Sequence, residues 1–85
     1  MDKQLEKDLR DHLAEIVLPE QLDGIYNMCL SILNVSLEKG LKDLSVGLPP
    51  FLSWSGSDHA PVEEIVKEWK LRPFIDRARE EADYE

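Results

Sequence analysis

Hydrophobic residues recur at Leu5, Leu9, Leu13 and Ile16. Spacings of four, four and three set one stripe along a helix, because 3.6 residues make a turn. Lys3, Glu6, Lys7, Arg10, Asp11 and Glu15 form the opposite, charged face. A first helix is expected over residues 2–17. Asp2 suits its N-cap, and Glu6 stands four residues before Arg10 in the favourable order for an ion pair. Pro19 ends it, since the residue before a proline is pushed out of the α region.

Pro19 also suits the first turn of a second helix, which runs to about Lys39 before Gly40 terminates it. Here the pattern changes. Leu22, Ile25, Tyr26, Met28, Cys29, Leu30, Ile32, Leu33, Val35 and Leu37 fall nearly all the way round the axis, and residues 24–37 carry no charge. A helix apolar on every side needs burial on every side. This segment is expected to be the centre of the fold.

Residues 41–48 admit one short helical turn. Pro49-Pro50 forbids helix and fixes an extended stretch. Residues 51–58 read as a loop carrying Phe51, Leu52 and Trp54, where a short strand has no obvious partner. Helix resumes at Pro61, with Glu63 and Glu64 near the positive end of its dipole. Val62, Ile65, Val66 and Trp69 form its inner stripe. Pro73 either kinks or restarts the helix, and Phe74, Ile75 and Ala78 form the last apolar face. Residues 79–85 are expected to be an acidic, frayed tail. The whole reads as one all-α domain over residues 1–85, a small irregular bundle of four or five helices around the central apolar one.

Size and charge narrow the function. An 85-residue chain buries only roughly 60–65% of its unfolded surface, so its stability margin is thin. Cys29 is the only cysteine, which excludes a disulfide within the chain and points to a reducing, cytoplasmic setting. Residues 1–8 alternate in sign, unlike a signal or transit peptide. The uncharged run of residues 24–37 falls short of the ~20 apolar residues that cross a bilayer. Net charge is −8, from 18 acidic and 10 basic side chains. That balance disfavours direct nucleic-acid binding and anionic membranes, and favours a protein partner with a basic surface.

Candidate chemistry adds little. Cys29 sits in the apolar helix with no cation beside it to activate a thiolate. His12, Cys29 and His59 lack zinc-ligand spacing. The carboxylates lie on solvated helix faces, and the glycines are isolated. No catalytic, cofactor-binding or metal-ligating residue is expected, and the chain is not expected to be an enzyme.

Binding chemistry is better represented. Pro49-Pro50 stiffens the loop, while Phe51, Leu52 and Trp54 are the rigid apolar side chains that anchor interfaces. Asp58 and the acids that follow it suit a charged rim, His59 suits a helix start facing a partner, and Glu63, Glu64 and Glu68 suit steering towards a basic surface. The expected function is a small acidic module that masks another protein, as an inhibitor, antagonist or immunity-type protein. The alternative is a structural subunit of a homodimer or larger complex that uses residues 22–37 as its interface.

Residues 61–70, Pro-Val-Glu-Glu-Ile-Val-Lys-Glu-Trp-Lys, resemble the last helix of the colicin-nuclease immunity proteins. The resemblance implies a small acidic four-helix protein that blocks a basic nuclease. It covers about ten residues. That family's pair of adjacent tyrosines in a short third helix is absent here, with Phe51 and Trp54 as a loose substitute.

Overall fold

The computed structural model describes residues 3–83, and these are mostly helical. In chain order they form helices α1 (Lys3–Ile16) and α2 (Pro19–Glu38), strands β1 (Ser45–Gly47) and β2 (His59–Pro61), and helices α3 (Val62–Glu68) and α4 (Arg72–Asp83). The expected Asp2 cap lies outside the described residues.

Helix α1 follows its stripe. Leu5, Leu9 and Leu13 are fully buried, while Ile16 is exposed. Helix α2 opens at Pro19, and Lys39 caps its end by donating its N–H to the Val35 carbonyl. Gly40 then turns the chain at φ 78, a backbone region cheap only for glycine. Helix α2 packs against α1, α4 and β1. Its Ile25, Met28, Cys29, Ile32 and Leu33 join Leu41, Ile65, Leu71 and Ile75 in the core. Burial of α2 is nevertheless not all-round, as the sequence had suggested. Asn27, Ser31, Asn34 and Glu38 are exposed. Their four-three-four spacing is a solvent stripe built mostly from uncharged polar groups. Absence of charge along residues 24–37 concealed a polar face, and Leu37 is the one large apolar side chain of α2 left exposed, at 39%.

An antiparallel two-stranded sheet replaces the expected helical turn in residues 41–48. Ser45 pairs with Pro61, Val46 with Ala60 and Gly47 with His59. Leu44, Val46 and Leu48 alternate with Ser45 and Gly47, and alternation directs the first three inward, each packing on the core. Among the described residues the fold is therefore four helices with one small two-stranded sheet: mostly helical, as the all-α expectation had it in outline, with the hairpin as the departure from it.

Helix α3 has seven residues, with Val62, Ile65 and Val66 buried. It ends in a Schellman motif: the Leu71 N–H donates to the Val66 carbonyl at 3.0 Å and the Lys70 N–H to the Lys67 carbonyl at 3.4 Å. Lys70 holds φ 52 at the position that favours glycine. Pro73 thus restarts a helix, and does not kink one. Residues 61–70 are accordingly a strand end, one short helix and a turn. They are followed by α4, so they are not a final helix of the immunity-protein kind. Helix α4 runs through Asp83, with Ala78 buried and Arg79 and Glu81 half-buried; the last two residues of the expected acidic tail lie outside the described residues.

Among the described residues, two ion pairs tie helices together. Arg10 reaches Asp23 at 2.7 Å and lies over the Tyr26 ring, joining α1 to α2. Among the described ion pairs Arg10 thus takes Asp23, where the sequence suggested Glu6. Arg77 donates to Asp8 at 2.9 Å, joining α4 to α1.

Candidate functional site

The segment between the strands, residues 48–58, is a compact double turn. Its base is closed by the Leu48 N–H donating to the Asp58 carbonyl at 2.7 Å. The Leu52 N–H donates to the Pro49 carbonyl at 2.9 Å, so Pro50 and Phe51 form a first turn. Trp54 and Ser57 exchange two backbone bonds around Ser55 and Gly56. Both central residues have positive φ, 53 and 80. That is the turn whose twist suits a hairpin.

This double turn separates the three expected anchors. Leu52 and Trp54 are half-buried and pack on the core. Phe51 is 44% exposed. Its ring rests on α2 at Gly24: a Cβ there would lie 3.0 Å from the Phe51 Cε1 and Cζ atoms and 3.5 Å from Pro49. Glycine at position 24 makes the seat, and Phe51 presents the rest of its ring to solvent. The loop therefore packs Trp54 inward and displays Phe51.

The polar candidates are all exposed: Asp58, His59, Glu63, Glu64 and Glu68. His59 Nδ1 donates to Asp58 Oδ1 at 2.8 Å. That bond and the His59 charge hold the Asp58 carboxyl below its usual range. His59 lies in β2 and does not head a helix. Glu63 and Glu64 occupy the first turn of α3. Among the described residues none of Glu63, Glu64 and Glu68 has an ion pair with Lys or Arg, so their charge faces solvent.

The nucleophile and ligand candidates take other roles. Burial pushes the Cys29 thiol up to about 12, so it stays protonated at neutral pH. His12 donates through Nε2 to the Trp69 carbonyl at 2.9 Å, which fixes its tautomer, and its ring lies 5.1 Å from Phe74. It helps join α1 to the turn after α3. Among the described residues no group of three or more His, Cys, Asp or Glu is placed to hold a metal ion. No helix among them is long and apolar enough to cross a membrane.

One feature went unread in the sequence. A groove of about 190 Å³ runs between the second half of α2 and β1, lined by Ile32, Val35, Leu44, Val46 and Val62, with Glu38 and Lys39. Its signal was the two-residue alternation of Leu44, Val46 and Leu48, which is the period of a strand. Comparison of the chain with protein-family models, with curated proteins and with solved structures finds no match.

Proposed function

We propose that this chain is a small acidic protein-binding module, a helical bundle around α2, that masks a basic surface of another protein in the cytoplasm. Inhibitor, antagonist and immunity-type roles are the forms such masking takes. The observation that carries the reading is Phe51. An aromatic ring held against Gly24, yet 44% exposed, is a pre-organised anchor: its position costs little further ordering on binding. The unpaired carboxylates of Glu63, Glu64 and Glu68 and the net charge of −8 supply attraction to a basic partner and repel acidic ones. A homodimer through α2 finds less support, because the solvent stripe of α2 is polar apart from Leu37.

The test is capture from host lysate at low and at moderate salt, followed by mass spectrometry. Expected is enrichment of basic proteins, with retention falling as salt screens the charges over about 10 Å at 0.1 M. Phe51→Ala should reduce capture while leaving the melting temperature nearly unchanged. A captured set without basic bias, held equally well in salt, would sink the reading.

A further inference from the structure

The strand register leaves one edge of the hairpin unused. Val62 N–H donates to the Leu44 carbonyl at 2.9 Å, and Leu48 N–H donates to the Asp58 carbonyl at 2.7 Å. In an antiparallel ladder, pairs that exchange hydrogen bonds alternate with pairs that do not. With Val46 opposite Ala60, residues 44, 46 and 48 turn their backbone groups towards β2. Ser45 and Gly47 therefore turn both N–H and both C=O groups outward.

The two edges are treated differently. On β2, Pro61 has no N–H to offer, and the His59 N–H is taken by Ser57 Oγ at 3.2 Å. Blocking of that kind is how exposed edges are commonly protected. On β1, no hydrogen bond from a side chain reaches the outward groups of Ser45 or Gly47 among the described residues. Neither side chain obstructs approach, since one is a serine and the other has none. Beside this open edge lies the apolar groove floored by Ile32, Val35, Val46 and Val62. At the face that Ser45, His59 and Pro61 form, Asp43 shares a shallow recess with them, Leu44 and Ala60. Asp43 has no ion pair among the described residues.

We infer that the open edge of β1 takes an extended segment of a basic partner protein as a third strand, with one apolar side chain in the α2–β1 groove and a Lys or Arg on either side of it. The pattern follows from strand geometry. Successive side chains point to opposite faces, so the residue beside Val46 enters the groove while its neighbours emerge on the Asp43 face. Main-chain bonds to Ser45 and Gly47 supply affinity, and the groove with Asp43 supplies selection. Charge chooses the occupant, because a second copy of this chain brings another −8 whereas a basic segment is attracted. This inference rests on the masking reading above and names the contact through which the partner is held.

The test uses the full ¹⁵N-labelled chain and two capped peptides, Lys-Val-Lys-Val-Lys and Glu-Val-Glu-Val-Glu. The basic peptide should shift the Ser45 and Gly47 amides and slow their exchange with solvent, and the acidic one should not. Gly47→Pro removes one outward donor without touching the β1–β2 ladder. The fold has room, since a Cβ at position 47 meets only His59 Nε2 at 3.9 Å. Gly47→Pro should weaken the basic peptide about fivefold or more, as loss of a hydrogen bond does. Gly47→Ala should bind like the parent and so controls for folding. Basic-peptide shifts confined to other residues and indifferent to Gly47→Pro would overturn strand addition but leave the masking reading standing. Equal binding of both peptides would overturn the two together. Binding of neither would overturn strand addition alone, because lysate capture decides the masking reading separately. A dimer of the free chain, abolished by Gly47→Pro, would assign the edge to a second copy and overturn the proposal.

Discussion

The helices and the hairpin of this chain are held by different physics. Between α1, α2 and α4 the contacts are fully buried aliphatic side chains, Leu9, Leu13, Ile32, Leu33 and Ile75 among them. The hairpin gives the core one small buried side chain, Ala60, and otherwise packs on it through half-buried Val46, Leu48, Leu52 and Trp54, and its ladder is only three pairs long. Two-stranded hairpins are marginal without a surface to lie on. Here α2 is that surface, with Gly24 seating Phe51 near one end and Ile32 and Val35 facing Val46 towards the other. The helices are expected to form the more stable part and the hairpin, with less buried apolar surface, to open first. A binding edge belongs on such an element, because its backbone groups are accessible without unfolding the core.

The largest effect should separate the two regions directly. Leu33→Ala, at a fully buried position, should cost about 3–5 kcal/mol through lost burial and a residual cavity. Trp54→Ala should cost about 2 kcal/mol, because its larger ring is only half-buried and its loop can partly collapse into the space. Urea denaturation of both variants measures this. Equal losses would mean that the hairpin is as much core as the helices, and the division would fail.

Legibility in the sequence followed the same division. Helix α1 was readable because a period of 3.6 repeats over three turns, and α2 because Pro19 and Gly40 punctuate a long, mostly apolar run. The hairpin was not, because three residues give barely one cycle of a two-residue period, and its partner strand lies beyond residues 48–58. Exposed Asn27, Ser31 and Asn34 were misjudged because an uncharged polar stripe looks apolar when charge is the only contrast used. Phe51 and Trp54 were identifiable as candidates from residue type alone. Their opposite fates depend on Gly24, a residue 27 positions away from Phe51 in sequence. The open β1 edge follows from register, which no local pattern reports.

Lys70 offers a smaller effect confined to the helical region. Its φ of 52 sits in the left-handed region, which costs a residue with a Cβ about 1–2 kcal/mol. Lys70→Gly should therefore stabilise the protein by about 1 kcal/mol, part of the gain being offset by the freer unfolded chain. Native-state hydrogen exchange gives the sharper reading. Protection should rise for buried amides of α3 and α4 and stay unchanged for Val46 and Ala60. A matching rise in the hairpin would show that it opens only with the helices.

Gly24→Ala acts on the seam between the regions, and two terms oppose each other there. Alanine in mid-helix is favoured over glycine by up to about 1 kcal/mol. The added methyl would meet the far end of the Phe51 ring at 3.0 Å, too close to stay. Phe51 is 44% exposed and meets the methyl with the far end of its ring, so the ring gives by a few tenths of an ångström at a cost that offsets much of the helix's gain. Stability should change by less than about 0.5 kcal/mol in either direction, while the NMR signals of the Phe51 ring shift. A loss above about 1 kcal/mol would mean that the loop is rigid and part of the core.

The smallest effect is electrostatic, and it contrasts two carboxylates whose pKa moves the same way. Arg77 and then Gln4, each at 2.9 Å, hold Asp8 below 3.8, and His59 holds Asp58 below 3.8. A lowered folded-state pKa means stability that is present above the unfolded value of about 4 and is lost as pH falls through the folded one. Asp8 gains this from a residue 69 positions away, a contact the unfolded chain lacks, so its shift contributes to stability, reduced by solvent screening because both side chains are partly exposed. Asp58 and His59 are neighbours in sequence, and the unfolded chain can make much of the same bond, so that shift largely cancels. Arg77→Gln should return the Asp8 pKa towards its ordinary value, read by carboxyl ¹³C titration. The difference in melting temperature between it and the parent should shrink as pH drops from about 5 through the lowered pKa. His59→Gln should leave the same acid limb unchanged. An acid limb altered by His59→Gln and indifferent to Arg77→Gln would place the acid-sensitive contact in the hairpin and reverse the assignment of scaffold and mobile part.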